Sequence, residues 1–187
     1  MGAIEDFLAD ATRRMDRSIE TTRSEFNGIR TGRASVGLLD RISVDYYGTS
    51  TPLKNMATIS APEPRLLTIQ PFDPTQVRAI EKAIQESDLG LTPSDDGKVI
   101  RLPIPQLTEE RRKDLVKVVR QRAEDGRVAV RNVRRDVMHH LKELVNKGEA
   151  QADDEHRAED RVQKLTDEHV QKIDELLKRK EAEILEF

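Results

Sequence analysis

The chain has 187 residues, enough for one domain or two small ones, and its 36% hydrophobic and 36% charged content suits long, solvent-exposed helices. It lacks cysteine, which excludes disulfides, a thiolate nucleophile and Cys-based metal sites, and fits a reducing, cytoplasmic setting; four Phe, two Tyr and no Trp disfavour a base-stacking platform. The formal net charge is only −3, yet from Arg111 to Arg135 ten Lys/Arg stand against three Asp/Glu, so positive charge is gathered on one element.

Leu8, Ala11, Met15, Ile19, Thr22, Phe26 and Ile29 recur at steps of three and four, which predicts a first helix from about Ile4 to Arg30. The segment from Ala34 to Ile104 breaks that rhythm. Ile42, Val44 and Tyr46 alternate with polar residues, as do Leu67 and Ile69, and Val99 to Leu102 is a short apolar run; each predicts a strand. Asp73-Pro74 with Gln76 predicts a capped start for a short helix carrying Val77, Ile80 and Ile84, and Gly90 closes it. Six of the eight prolines lie between Pro52 and Pro93.

A long helix is then predicted from Thr108, its N-cap, to Lys147, with Gly148 as the residue that stops it. Its apolar edge is read as Leu115, Val118, Arg122, Val130, Val133, Val137, Leu141 and Leu144. Gly126 weakens the middle of that helix by about 1 kcal/mol and marks a possible bend. Ala158, Val162, Leu165, His169, Ile173, Leu176 and Ile184 mark a last helix, preceded by Glu149-Ala-Gln-Ala152 with no Ser or Asp cap. The fold class is α+β: an elongated antiparallel three-helix bundle, residues 1–30 and 106–187, with a small β/α/β domain, residues 31–105, inserted between two helices. Chain crossings at Arg30 to Ala34 and Leu102 to Gln106 make a hinge of Thr31, Gly32, Pro103, Pro105 and Gln106.

Lys113, Lys117, Arg120, Arg127, Arg131 and Arg134 fall near one face of the long helix, interrupted by Glu124. Two readings stand. The face either pairs with the acids of the last helix or grips phosphates. The cluster Arg131, Arg134 and Arg135 favours the second, because guanidinium forks at i, i+3 and i+4 suit bidentate phosphate contact. No metal is expected: His139-His140 and His156 lack a second ligand set, and Ser94-Asp-Asp-Gly97 lacks the glutamate of a calcium loop. No cofactor is expected either, and neither a phosphate loop nor a nucleophile elbow is present, so the chain does not read as an enzyme. No apolar run is long enough to span a membrane, the N-terminal residues lack a basic-then-apolar leader pattern, and Asp6 stands where a myristoylation motif needs Ser or Thr.

Ile29-Arg-Thr-Gly-Arg-Ala-Ser35, Asp45-Tyr-Tyr-Gly-Thr49, Ser87-Asp-Leu-Gly-Leu91, Leu107-Thr-Glu-Glu-Arg-Arg-Lys-Asp114 and Val128-Ala-Val-Arg-Asn-Val-Arg-Arg-Asp136 together resemble the bacterial ribosome recycling factors, in order and over essentially the whole chain. Val36, where the family often has Pro, is a departure. The resemblance implies an L-shaped molecule that binds the large ribosomal subunit after termination and, with elongation factor G and GTP, splits the ribosome into subunits for reuse. It also implies rRNA contact at Arg30, Arg33, Arg131, Arg134 and Arg135, by a protein acting as a monomer. The competing reading is a structural coiled-coil adaptor without RNA binding, its basic stripe pairing with its own acidic helix.

Overall fold

The computed structural model describes residues 2–186. Helix α1 spans Ala3–Asn27 and buries Leu8, Ala11, Met15, Ile19, Thr22 and Phe26, the stripe expected from their spacing. It stops at Asn27 rather than Arg30, because Gly28 follows and the Ile29 amide closes a turn on the Phe26 carbonyl at 3.1 Å. The last two helices are α3, Glu109–Asn146, and α4, Ala152–Glu186, separated as expected by Gly148. Gly148 takes φ +73°, and the Gly148 and Glu149 amides donate to Val145 and Leu144 carbonyls at 3.0 and 2.9 Å. Those two bonds satisfy carbonyls that a helix end leaves open. At the other end of α3 the Thr108 hydroxyl accepts from the Arg111 amide at 3.1 Å, so the expected cap is made. No side chain was expected to cap α4; Asp153, Asp154 and Glu155 in its first turn suit the positive end of the helix dipole.

By internal contacts the chain divides into two compact units, Met1–Glu25 with Lys117–Glu181, and Phe26–Val116 with Ala182–Phe187. In the first unit the three helices bury Ala11 and Met15 from α1, Val119, Ala123, Val130 and Val137 from α3, and Val162 and Ile173 from α4. The apolar edge of α3 therefore runs through Val119 and Ala123. Val118 is 40% exposed and Arg122 is exposed, which corrects the expected stripe by one position in this stretch. α3 continues unbroken through Gly126. That residue marks a close approach: a Cβ there would lie 2.4 Å from Thr22 Oγ1 and 3.2 Å from Ile173 Cδ1. Small residues at 123 and 126 let α1 and α4 pack closely on α3.

The second unit holds more strands than its sequence suggested. β1, Ser43–Tyr46, and β2, Thr49–Pro52, form a two-stranded antiparallel hairpin turned by Tyr47 (φ +50°) and Gly48 (φ +84°). β3, Ala57–Glu63, β4, Leu66–Pro71, β5, Ser94–Asp95, and β6, Ile100–Pro103, form an antiparallel sheet in the order β3-β4-β6-β5. β2 and β3 escaped prediction because neither buries an alternating set; most of their residues are exposed or half-buried. Helix α2, Val77–Gln85, presents Val77, Ile80 and Ile84 to a core that also holds Leu53, Leu67, Ile69, Ile100, Leu102 and Ile104. Asp73 caps a 3-10 turn, Pro74–Gln76, that precedes α2; the Gln76 side chain reaches Thr75 Oγ1 at 3.4 Å instead of closing a capping box. The turn between β3 and β4 pins two connecting segments: the Ala34 amide donates to Pro64 at 2.6 Å and the Ile104 amide to Arg65 at 2.8 Å.

Candidate nucleic-acid interface

The helical period sets which arginines of α3 face α4. Arg120, Arg127 and Arg134 stand seven apart, about two turns, so they form one row along the helix. Arg120 Nε donates to Glu181 at 2.6 Å, and Arg127 Nε donates to Asp174 at 2.7 Å. Arg134 Nη1 donates instead to the neutral Gln163 at 3.2 Å, and Gln163 passes its own amide on to Asp167 at 2.9 Å. The row thus meets two carboxylates and then an amide. Glu181 holds the Arg120 guanidinium above its ordinary value. Burial works against the charge of Arg127, but Asp174 and Glu124 outweigh it, and the net direction is also upward.

Beyond this row the charges are spent unevenly. Glu124 bonds Arg127 at 2.9 Å and reaches Arg131 at 3.4 Å, so one carboxylate serves two guanidinium groups. Arg122 lies 3.9 Å from Glu25, the far limit of an ion pair. Asp136, beside Arg135 in sequence, is taken by Arg14 at 2.5 Å, and that bond holds its carboxyl below the usual carboxylate range. Arg135 is exposed and, among the described residues, makes no ion pair or side-chain hydrogen bond. Arg134 is half-buried, and its Nε is sealed from solvent without a partner. Around Arg134 and Arg135 cationic charge is left without a contacting carboxylate, in an arrangement open to an external anion.

Arg30 and Arg33 belong to the second unit, and the triad on α3 to the first. Arg30 is half-buried, with Nη1 sealed and unpartnered; Arg33 is exposed. Between them Thr31 is 1% exposed; its hydroxyl donates to Glu183 at 3.1 Å and accepts from the Arg33 amide at 3.3 Å. Gly32 is buried, while Pro103, Pro105 and Gln106 are exposed, and all five residues read as a hinge lie within the second unit. Gln163 was not foreseen: nothing local in the sequence marks an amide on α4 as the partner of an arginine on α3. No group of three or more His, Cys, Asp or Glu able to hold a metal exists among the described residues. His169 is 3% exposed, its Nδ1 2.6 Å from the Leu165 carbonyl and its Nε2 2.7 Å from Asp16, a structural tie between α4 and α1.

The family model described as ribosome recycling factor matches residues 22–185. The chain belongs to the ribosome recycling factor family. Members of this family are translation factors and not enzymes. A ribosome-recycling factor of Rubrobacter xylanophilus is 59% identical over 179 residues, 96% of each chain, and one of Alkaliphilus metalliredigens is 56% identical over 92% of this chain and 94% of its own. The solution structure of a ribosome recycling factor superposes with a TM-score of 0.82 at 42% identity over the whole of both chains. A second structure, at 47% identity and TM-score 0.72 over 99% of this chain and all of its own, is described as the Thermus thermophilus recycling factor, with Escherichia coli elongation factor G, bound to the Escherichia coli post-termination complex. These likenesses extend to the α+β fold, a helical bundle with a small sheet-bearing part. Among the described residues no helix is long and apolar enough to cross a membrane.

Proposed function

We propose that this chain binds the post-termination ribosome as a monomer in the cytoplasm and, with elongation factor G and GTP, splits it into subunits. The proposed grip on large-subunit rRNA is Arg131, Arg134 and Arg135 on α3, joined by Arg30 and Arg33. The observation that carries this reading is the contrast along one helical row: Arg120 and Arg127 face carboxylates, whereas Arg134 faces an amide. A polyanion supplies the missing negative charge and releases counterions as it does so. Family membership and the likeness to a recycling factor on a post-termination complex support the same reading. Residues 1–30 and 106–187 are proposed as the binding bundle and 31–105 as a part that moves on it, with Thr31, Gly32, Pro103, Pro105 and Gln106 as the hinge. The adaptor reading draws its support from the paired arginines alone.

The test is sedimentation of post-termination ribosomes after incubation with the protein, with and without elongation factor G and GTP. Subunits are expected only when all components are present, and the protein alone is expected to hydrolyse no GTP. Ribosome binding is expected to weaken steeply with salt. Binding with no salt slope, or intact ribosomes in the complete mixture, returns the adaptor reading.

A further inference from the structure

Of the four histidines only His169 is buried, in an α4 stripe with Val162, Thr166 and Ile173. Both of its ring nitrogens nonetheless lie at hydrogen-bond distance from an oxygen. Nδ1 is 2.6 Å from the Leu165 carbonyl of its own helix, and Nε2 is 2.7 Å from Asp16 Oδ1 on α1, all within the first unit. A carbonyl oxygen only accepts, and so does an ionised carboxylate. A neutral imidazole carries one N–H and serves one of the two; its other nitrogen would set a lone pair against an oxygen at bonding distance. Two acceptors therefore require two ring protons. A proton on Asp16 instead is disfavoured, because that side chain is 57% exposed and water solvates its charge.

The surrounding charges leave this pair to itself. On α1, Arg13 turns to Asp10 at 3.0 Å, Arg14 to Asp136 at 2.5 Å, and Glu20 pairs with Arg23. Arg17, beside Asp16 in sequence, makes no ion pair among the described residues, and neither do Glu168 and Lys172, exposed on α4 beside the ring. α3 turns no charge inward at this level. Between Arg127, which meets Asp174, and Arg134, which meets Gln163, the side chains it buries are Val130 and Val133. Arg131 is exposed and turns to Glu124 at 3.4 Å. Among the described residues the His169 ring is thus the sole ion-pair partner of the Asp16 carboxylate.

We infer that His169 is held as an imidazolium, donating from Nδ1 to the Leu165 carbonyl and from Nε2 to the Asp16 carboxylate, and that this ring is a proton-dependent clasp between α4 and α1. The Nδ1 bond stays within α4, whereas the Nε2 bond crosses to α1. The charge on the ring therefore decides whether the two helices are tied at this point. The second proton is held by a contact that exists only in the folded protein. It stabilises the fold while the ring is doubly protonated, and that contribution is lost as pH rises and the proton leaves. Asp16, already open to water, then turns away, and Nε2 is left buried without a donor.

The experiment uses the full chain. Nitrogen-15 NMR of the histidine rings counts the protons on His169 as pH is raised from about 5 to about 9, and urea unfolding follows stability over the same range. Two ring N–H groups are expected on His169 at neutral pH. Loss of one is expected to coincide with a rise of about tenfold in the unfolding constant. Asp16→Asn separates charge from shape: its amide can donate to a bare Nε2, which suits a neutral ring. In this variant His169 is expected to lose its proton at lower pH than in the parent, and the tenfold step is expected to vanish. His139, His140 and His156 lie outside the core and contribute equally to parent and variant, so the difference belongs to His169. A single ring N–H on His169 at neutral pH, or the same pH step in Asp16→Asn, overturns the clasp. The ring protons are read on the parent chain, so the inference stays open to refutation even if the variant folds poorly.

Discussion

Two stretches of α3 carry arginine at the same seven-residue spacing and spend it differently. Around Arg120 and Arg127 the charge is satisfied within the protein, by Glu181 and Asp174 at 2.6 and 2.7 Å. Around Arg134 and Arg135 it is not: one guanidinium meets an amide, and the other meets nothing described. Partly exposed ion pairs contribute little to stability, so the first stretch serves chiefly to orient α4 on α3. The second leaves positive charge at the surface without gain to the fold, as a phosphate-binding surface requires. Arginine count alone does not distinguish the two. The partner across the helix pair does.

The strongest way to break this comparison is to reverse the unsatisfied stretch. Under the proposed function, Arg134→Glu with Arg135→Glu is expected to weaken ribosome binding by about a hundredfold and to lower the salt slope by about two. Lys117→Glu on the same helix is expected to cost far less. Binding isotherms at several salt concentrations read both quantities, and circular dichroism checks that the helices persist. Equal losses for the two proteins would remove the triad from its assigned role.

Much of this was legible in the sequence because it is local. The stripe of α1, the Thr108 cap and the Gly148 stop depend on neighbours within a turn or two, and each lies where its spacing put it. The misread edge at Val118 and Arg122 has a physical cause: Val118 and Val119 are adjacent, and the true edge runs on through Ala123 and Gly126, whose small side chains give little hydrophobic signal. β2 and β3 were missed because exposed strands do not alternate. The choice of Gln163 for Arg134 was beyond reach because the partner comes from another element.

The paired stretch depends on α3 lying close against its neighbours, and Gly126 tests that closeness. On an exposed helix Gly→Ala stabilises by about 1 kcal/mol. Here the added Cβ would stand 2.4 Å from Thr22 Oγ1, a hydroxyl held by the Ser18 carbonyl at 3.0 Å in a site only 2% exposed. Thr22 must turn and give up that bond, or the helices must separate. Gly126→Ala is therefore expected to destabilise the protein by about 1–2 kcal/mol, as overpacking does. Adding Thr22→Ala is expected to recover most of the loss, since it removes the obstructing oxygen. Urea unfolding of the three variants decides it: a Gly126→Ala protein more stable than its parent would show that propensity outweighs packing here.

The finest test converts one stretch into the other with one side chain. Gln163→Glu gives Arg134 the carboxylate that Arg120 and Arg127 already have, at the position where the amide oxygen now lies 3.2 Å away. It also removes the amide donor to Asp167 and sets two negative charges four residues apart on α4, so no net gain in stability is expected. Neutralising one partly exposed arginine is worth a few tenths to 1 kcal/mol, which corresponds to about a threefold loss of ribosome affinity under the proposed function. Gln163→Ala frees Arg134 without adding charge and is expected to bind like the parent. Arg120→Ala, from the satisfied stretch, is expected to change affinity by less than about twofold. If Gln163→Glu binds as tightly as Gln163→Ala at low salt, where a surface charge counts most, the amide opposite Arg134 is incidental and the contrast between the two stretches has no bearing on binding.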